Sequence, residues 1–211
     1  MLLPKIIIQY GFFLDKIFRE HFILKPENKD KTLIEKEDLF KNIEDYKKEW
    51  EIYEERILTS LLKLLPIKFL HNVIDVYIVS YISPRHTGFS HPLTIRGNLG
   101  VDEFVNVLIH EILHVFLTAN SILPEISPSK TIKEMFPAEN NTKTINHIII
   151  NAILKYIYSD VLKDNNRLLK DKKRDCRHKE YKKAWDIVEE KGYMEIINEF
   201  KNKIELSLNK N

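Results

Sequence analysis

Along the chain, apolar positions fall mostly into long stretches with helical spacing, interrupted by one region with the texture of strands. Near the start, Ile6, Tyr10, Leu14, Ile17 and Phe18 fit one helical stripe, which predicts a core helix docked from the N-terminus. Lys25 to Lys31 reads as a polar loop. Thr32 with Glu35 forms a capping box, and Phe40, Ile43, Tyr46, Trp50, Tyr53, Ile57, Leu61 and Leu64 then carry a one-sided helix up to Pro66. The opposite face of that helix mixes acids and bases at helical spacing, the pattern of a solvated surface.

From Val73 the pattern changes. Val73 to Ile82 is β-branched and aromatic and stops at Pro84, which predicts a strand; Leu93 to Arg96 predicts a shorter second one. After a turn at Asn98-Leu99-Gly100, Asp102 is the expected N-cap of a helix from about Glu103 to Thr118, apolar on nearly every side. Asn120 to Asn141 contains three prolines and reads as a connection with one helical turn around Ile132 to Phe136. Asn141-Thr142 starts another buried helix, running to about Leu162. Two amphipathic helices, parted at Lys191-Gly192, close the chain. These elements predict a single α+β domain over 1–211: N-terminal helices over 1–66, a core over 73–162 with a small antiparallel sheet, and a basic connector with C-terminal helices over 163–211.

Composition narrows the function without naming it. Hydrophobic residues make up 44 % and charged residues 30 % of 211 positions, ordinary for a globular domain with a sizeable core, and only 5 glycines argue against a turn-rich all-β fold. A net charge of +2 gives no global argument for nucleic acid or a membrane surface. The one basic stretch, Lys163 to Lys183, has ten Lys or Arg against four acids, but Tyr181 is its only aromatic, so it reads as a solvated connector and nucleic-acid binding is not favoured. Cys176 is the sole cysteine; an intramolecular disulfide is excluded and a cytoplasmic, reducing setting is expected. Pro4, Gln9 and Asp15 interrupt the apolar N-terminus, which therefore does not read as a signal segment, and no run reaches the length of a membrane span.

Chemistry concentrates in His110-Glu111-Ile112-Leu113-His114, inside the most apolar predicted helix. Histidines four residues apart project from one helix face, close enough for both imidazoles to hold one Zn²⁺, and the glutamate beside them can take a proton from a water. Burying three polar groups without a metal or a hydrogen-bond network would cost several kcal/mol. A helix whose histidines are satisfied by neighbouring carbonyls is the plain structural alternative.

This H-E-x-x-H helix resembles that of zincin metallopeptidases, and the order of strand, turn and motif helix extends the resemblance over roughly Val73 to Leu162. The resemblance implies a zinc peptidase with Glu111 as general base, and an extended peptide substrate pairing with an edge strand of the sheet, for which Leu93 to Arg96 is preferred because it adjoins the helix. Catalytic zinc needs three protein ligands and an open position. The metzincin extension is absent, since its glycine and third histidine fall at Leu117 and Asn120. The gluzincin pattern of a glutamate four residues before an aspartate fails at Glu125, Glu134 and Glu139, which are followed by Ser129, Ala138 and Lys143. His147, followed at four residues by Asn151 on a buried helix, fits the layout with a histidine substituted: His147 as the expected third ligand, Asn151 as the group that orients an imidazole. The three glutamates and a structural histidine stay open as alternatives. Candidates for stabilising the oxyanion are Tyr158, seven residues beyond Asn151, and His86 or His91 between the strands. A zinc-binding protein with a regulatory role and no catalysis, and a metal hydrolase of a non-peptide substrate, are the competing functions.

Overall fold

A computed structural model describes residues 3–23, 33–83, 86–119 and 127–209. It is mostly helical with a small mixed sheet of four strands, an α+β arrangement. In chain order the elements are β1 (Lys5–Tyr10), α1 (Phe12–Ile23), α2 (Lys36–Leu64), β2 (Val73–Val79), β3 (Gly88–Ser90), β4 (Leu93–Arg96), α3 (Val101–Ala119), α4 (Pro128–Met135), α5 (Thr142–Tyr156), a π-helical turn (Ile157–Leu162), α6 (Asn165–Asp175), α7 (Lys179–Lys191) and α8 (Tyr193–Leu208). The chain divides into two compact units, Met1–Glu55 with His71–Val115, and Arg56–Leu70 with Phe116–Asn211. No helix among the described residues is long and apolar enough to cross a membrane.

The first unit holds the sheet, in the order β1-β2-β4-β3. Strands β1, β2 and β4 are parallel and only β3 runs antiparallel to its neighbour, so the expectation of an antiparallel sheet is corrected to a mixed one. The N-terminal helix is corrected as well. Lys5 to Tyr10 is a strand paired in register with Val73 to Ile78. Ile6 and Ile8 both point into the core, a period of two that the helical stripe through Ile6 and Tyr10 concealed. The helix starts only at Phe12, after Gly11. The edge assignment changes too: β4 lies between β2 and β3, and β3 is the edge strand nearer the motif helix in sequence.

Two buried polar anchors hold this unit together. Asp15 is fully buried, and its carboxylate accepts from the Ser80 backbone N–H (2.6 Å), the Ser80 hydroxyl (2.5 Å) and the Tyr10 hydroxyl (2.7 Å). Burial and the carboxylate together raise the Tyr10 phenol to about 12. Tyr46 on α2 stacks on Phe104 of α3 with centroids 3.9 Å apart, and its hydroxyl donates to the Leu99 carbonyl (2.7 Å) in the turn that launches α3. The turn needs Gly97, because a Cβ there would meet Leu39 Cδ1 at 2.1 Å. α3 begins at Val101, so Asp102 lies inside its first turn with Glu103 and complements the helix dipole instead of capping it. Thr32 lies outside the described residues, and α2 begins at Lys36.

The second unit is a helical assembly around α5. α5 starts at Asn141-Thr142 as expected, with Asn141 as its cap, its side chain accepting from the Lys143 and Thr144 N–H groups. Pro128 to Met135 forms a full helix, longer than the single turn expected, capped by Ser127. Trp185, Val188, Ile196, Ile197 and Phe200 of α7 and α8 are fully buried. The stretch read as a solvated connector instead builds α6 and opens α7, with Arg167, Asp171 and Asp175 buried. Arg174 joins Asp171 (2.5 Å) and Asp175 (3.2 Å) in one charged cluster, which explains how acids become tolerable inside.

Candidate metal centre

Helix α3 carries the motif on its third turn, and nearly every neighbour in the motif is core: Leu108, Ile109, Ile112 and Leu113 are all inaccessible to solvent. This apolar packing fixes the rotation of the helix and leaves His110 and Glu111 buried with His114 half-buried. The Nε2 atoms of His110 and His114 stand 3.2 Å apart, with ring planes inclined by 54°. Two imidazole nitrogens on one tetrahedral zinc, each at about 2.0 to 2.1 Å, would be separated by about 3.3 to 3.4 Å. The observed pair therefore fits a shared ion, and equally one Nε2–H donating to the other Nε2.

Glu111 has a specific neighbour in β3. A Cβ added to Gly88 would lie 3.1 Å from Glu111 Cγ, 3.2 Å from its Oε1 and 3.0 Å from Val107 Cγ1. The absent side chain lets the edge strand approach the carboxylate closely. Phe89 points the opposite way and stacks on Phe18 of α1 at 6.4 Å. The loop histidines are both exposed: His86 meets the Ser83 hydroxyl at 2.7 Å and His91 the Ser90 hydroxyl at 3.0 Å.

His147 lies on the second turn of α5, buried. Its Nδ1 is 2.8 Å from the Lys143 carbonyl, one turn back. A carbonyl only accepts, so Nδ1 carries the proton and Nε2 presents its lone pair, the tautomer a metal ligand requires. Burial lowers the His147 pKa and favours this neutral form; the Lys143 carbonyl and the Asp175 charge partly oppose the shift. The ring lies against Tyr181 of α7, centroids 4.0 Å apart and planes within 25°.

His110 and His114 on α3, and His147 on α5, each offer one ring nitrogen that could take part in holding a metal ion. Three neutral-capable imidazoles suit a transition-metal ion such as zinc, copper, iron or nickel over magnesium or calcium. Of the alternative third ligands, Glu134 is exposed and Glu125 lies outside the described residues. Glu139 has another task. It accepts from the Asn140 and Asn141 N–H groups at the start of α5 and pairs with Lys183 at 2.6 Å, and the Lys183 bond is the main reason its carboxyl titrates below the usual range.

Asn151 and Tyr158 are both fully buried, and neither the Asn151 amide nor the Tyr158 hydroxyl has a hydrogen-bond partner among the described residues. Burial pushes the Tyr158 phenol well above its ordinary value, with Asp171 adding to the shift, so it stays protonated at neutral pH. The bond that orients His147 comes from the Lys143 backbone, a group no side-chain motif discloses. Gly88 and Tyr181 also escaped the sequence motifs. Gly88 had one signal, being among only 5 glycines and just upstream of the motif helix; Tyr181 had another, as the lone aromatic in a basic stretch.

Comparison with protein-family models, with curated proteins and with solved structures finds no significant match for this chain. Its functional reading rests on its own residues.

Proposed function

We propose that the chain is a zinc-dependent peptidase of zincin type in which His110, His114 and His147 are the metal ligands and Glu111 is the general base. The observation that carries this reading is the 3.2 Å Nε2 pair on α3 with a buried carboxylate at the adjoining position. A zinc ion held there supplies Lewis acidity and lowers the pKa of a water from about 15.7 toward 7.

The chain's own residues supply the remaining work. Glu111 takes the proton of the attacking water and delivers it to the leaving amine, a task that suits a carboxylate largely withdrawn from solvent. Substrate positioning falls to β3, whose outer side has no strand beside it among the described residues. An extended peptide pairing there gains main-chain hydrogen bonds, and Gly88 lets β3 itself lie close to Glu111. Tyr158, protonated at neutral pH, is the proposed donor to the developing oxyanion, and Asn151 the proposed support of the ligand set.

The test is Glu111→Gln, assayed on a mixed peptide library with zinc quantified in the same samples. The reading expects turnover to fall by roughly 10² to 10⁴-fold with zinc content unchanged. Undiminished hydrolysis in the variant would overturn Glu111 as the base. Zinc bound by a wild-type protein that cleaves no peptide would instead favour a non-catalytic zinc protein or a hydrolase of another substrate.

A further inference from the structure

We infer that Tyr181, on a different helix from any proposed ligand, is a positioning residue that clamps the His147 imidazole in its ligating orientation. The inference rests on the zinc reading above for its consequence, but its geometry stands without a metal. A histidine ring has a broad, soft χ2 torsion, so a single hydrogen bond at Nδ1 leaves the ring free to rock about that bond. At His147 the Lys143 carbonyl holds the edge of the ring at 2.8 Å, and the Tyr181 ring covers one face at 4.0 Å between centroids. Edge and face together define the direction of the Nε2 lone pair.

Tyr181 is itself held in place by the docking of α7 on α5. The Thr144 hydroxyl donates to the Glu180 carbonyl (3.2 Å), immediately before Tyr181, and Lys183 reaches Glu139 at the head of α5 (2.6 Å). Ala184 and Trp185, the next residues inward, are fully buried. His178, the residue before α7, sets its ring edge against Tyr181 at 5.5 Å. The start of α7 is thus tied at several points around His147, and the aromatic ring is the part that touches the imidazole. Orienting partners of this kind matter to metal binding by about 10 to 100-fold when removed.

The stack needs an aromatic ring and not the phenol, so Tyr181→Phe and Tyr181→Ala separate the clamp from any role of the hydroxyl. Zinc affinity is measured by chelator competition on the full chain, and the absorption of the Co²⁺-substituted protein reports ligand geometry. Expected are wild-type affinity and spectrum in Tyr181→Phe, and at least tenfold weaker zinc binding with an altered cobalt spectrum in Tyr181→Ala. Equal zinc affinity in Tyr181→Ala and wild type would overturn the clamp. The metal-free proteins are compared by ring NMR relaxation: a rigid His147 imidazole in wild type and Tyr181→Phe, and a more mobile ring in Tyr181→Ala with the Nδ1–H tautomer still held by Lys143, are expected. If wild type takes up no zinc, the zinc reading fails alone, and the relaxation comparison still decides the clamp, an equally rigid His147 ring in Tyr181→Ala refuting it.

Discussion

His110 and His114 bring their Nε2 atoms to 3.2 Å across one turn of α3, too close for both nitrogens to carry protons. An ion between them takes the lone pairs of both rings, replacing the single N–H···N bond that the pair otherwise makes. Zinc should therefore stabilise the fold: at a free concentration one hundred times Kd the gain is about 2.7 kcal/mol, or a rise in Tm of about 5 to 10 °C for a chain of this size. Differential scanning calorimetry with and without zinc measures it. His110→Ala should abolish the zinc-dependent rise, and an undiminished rise in that variant would remove His110 from the ligand set.

Gly88 tests the link between the edge strand and the base. In Gly88→Ala the new methyl would sit about 3 Å from Val107 and Glu111, tighter than ordinary contact, and Glu111 must give way. Peptide turnover should drop by about tenfold or more, given the steep dependence of catalysis on placement. Zinc content should be unchanged. Wild-type kcat/KM in this variant would show that the carboxylate tolerates displacement.

Asn151 is fully buried and neither amide atom has a hydrogen-bond partner among the described residues, an arrangement that costs stability. Asn151→Leu keeps the branching and removes the unsatisfied dipole, so the metal-free variant should be more stable than wild type by about 1 kcal/mol in urea melts. Its zinc affinity should fall, because the amide is kept to support the ligands. A variant that loses stability and keeps its affinity would make Asn151 an ordinary packing residue.

Glu139 gives a pH prediction. Lys183 first, and then the Asn141 and Asn140 N–H groups, hold its folded-state pKa below the unfolded value. A depressed carboxylate contributes stability that is present above its unfolded pKa and lost as pH falls through the folded one. Glu139→Gln should thus be less stable than wild type at pH 7, and the gap should close only as pH falls below the ordinary glutamate range and through the lowered folded-state value. A gap that persists undiminished in acid would assign the effect to shape and not to charge.

The helices were legible because their signals are local. Asn141 caps α5 through its own side chain, and the apolar stripe of α2 lies within one segment. The strands were less so. β1 exists because Lys5 to Tyr10 finds Val73 to Ile78 almost seventy residues away, and nothing within those six residues names that partner. β3 has only three residues, too few to show alternation, which is why the edge was assigned to its longer neighbour. In the candidate site, the pair on α3 was readable from helix geometry alone. Gly88 and Tyr181 were not, since their places depend on how β3 lies on α3 and how α7 lies on α5.

The most direct test of the zinc reading is metal content by mass spectrometry on protein purified with zinc present and dialysed against metal-free buffer, comparing wild type with His147→Ala. About one equivalent of zinc in wild type, sharply reduced in His147→Ala, is the predicted result. Less than about half an equivalent in wild type, or full occupancy in His147→Ala, would contradict the three-histidine centre.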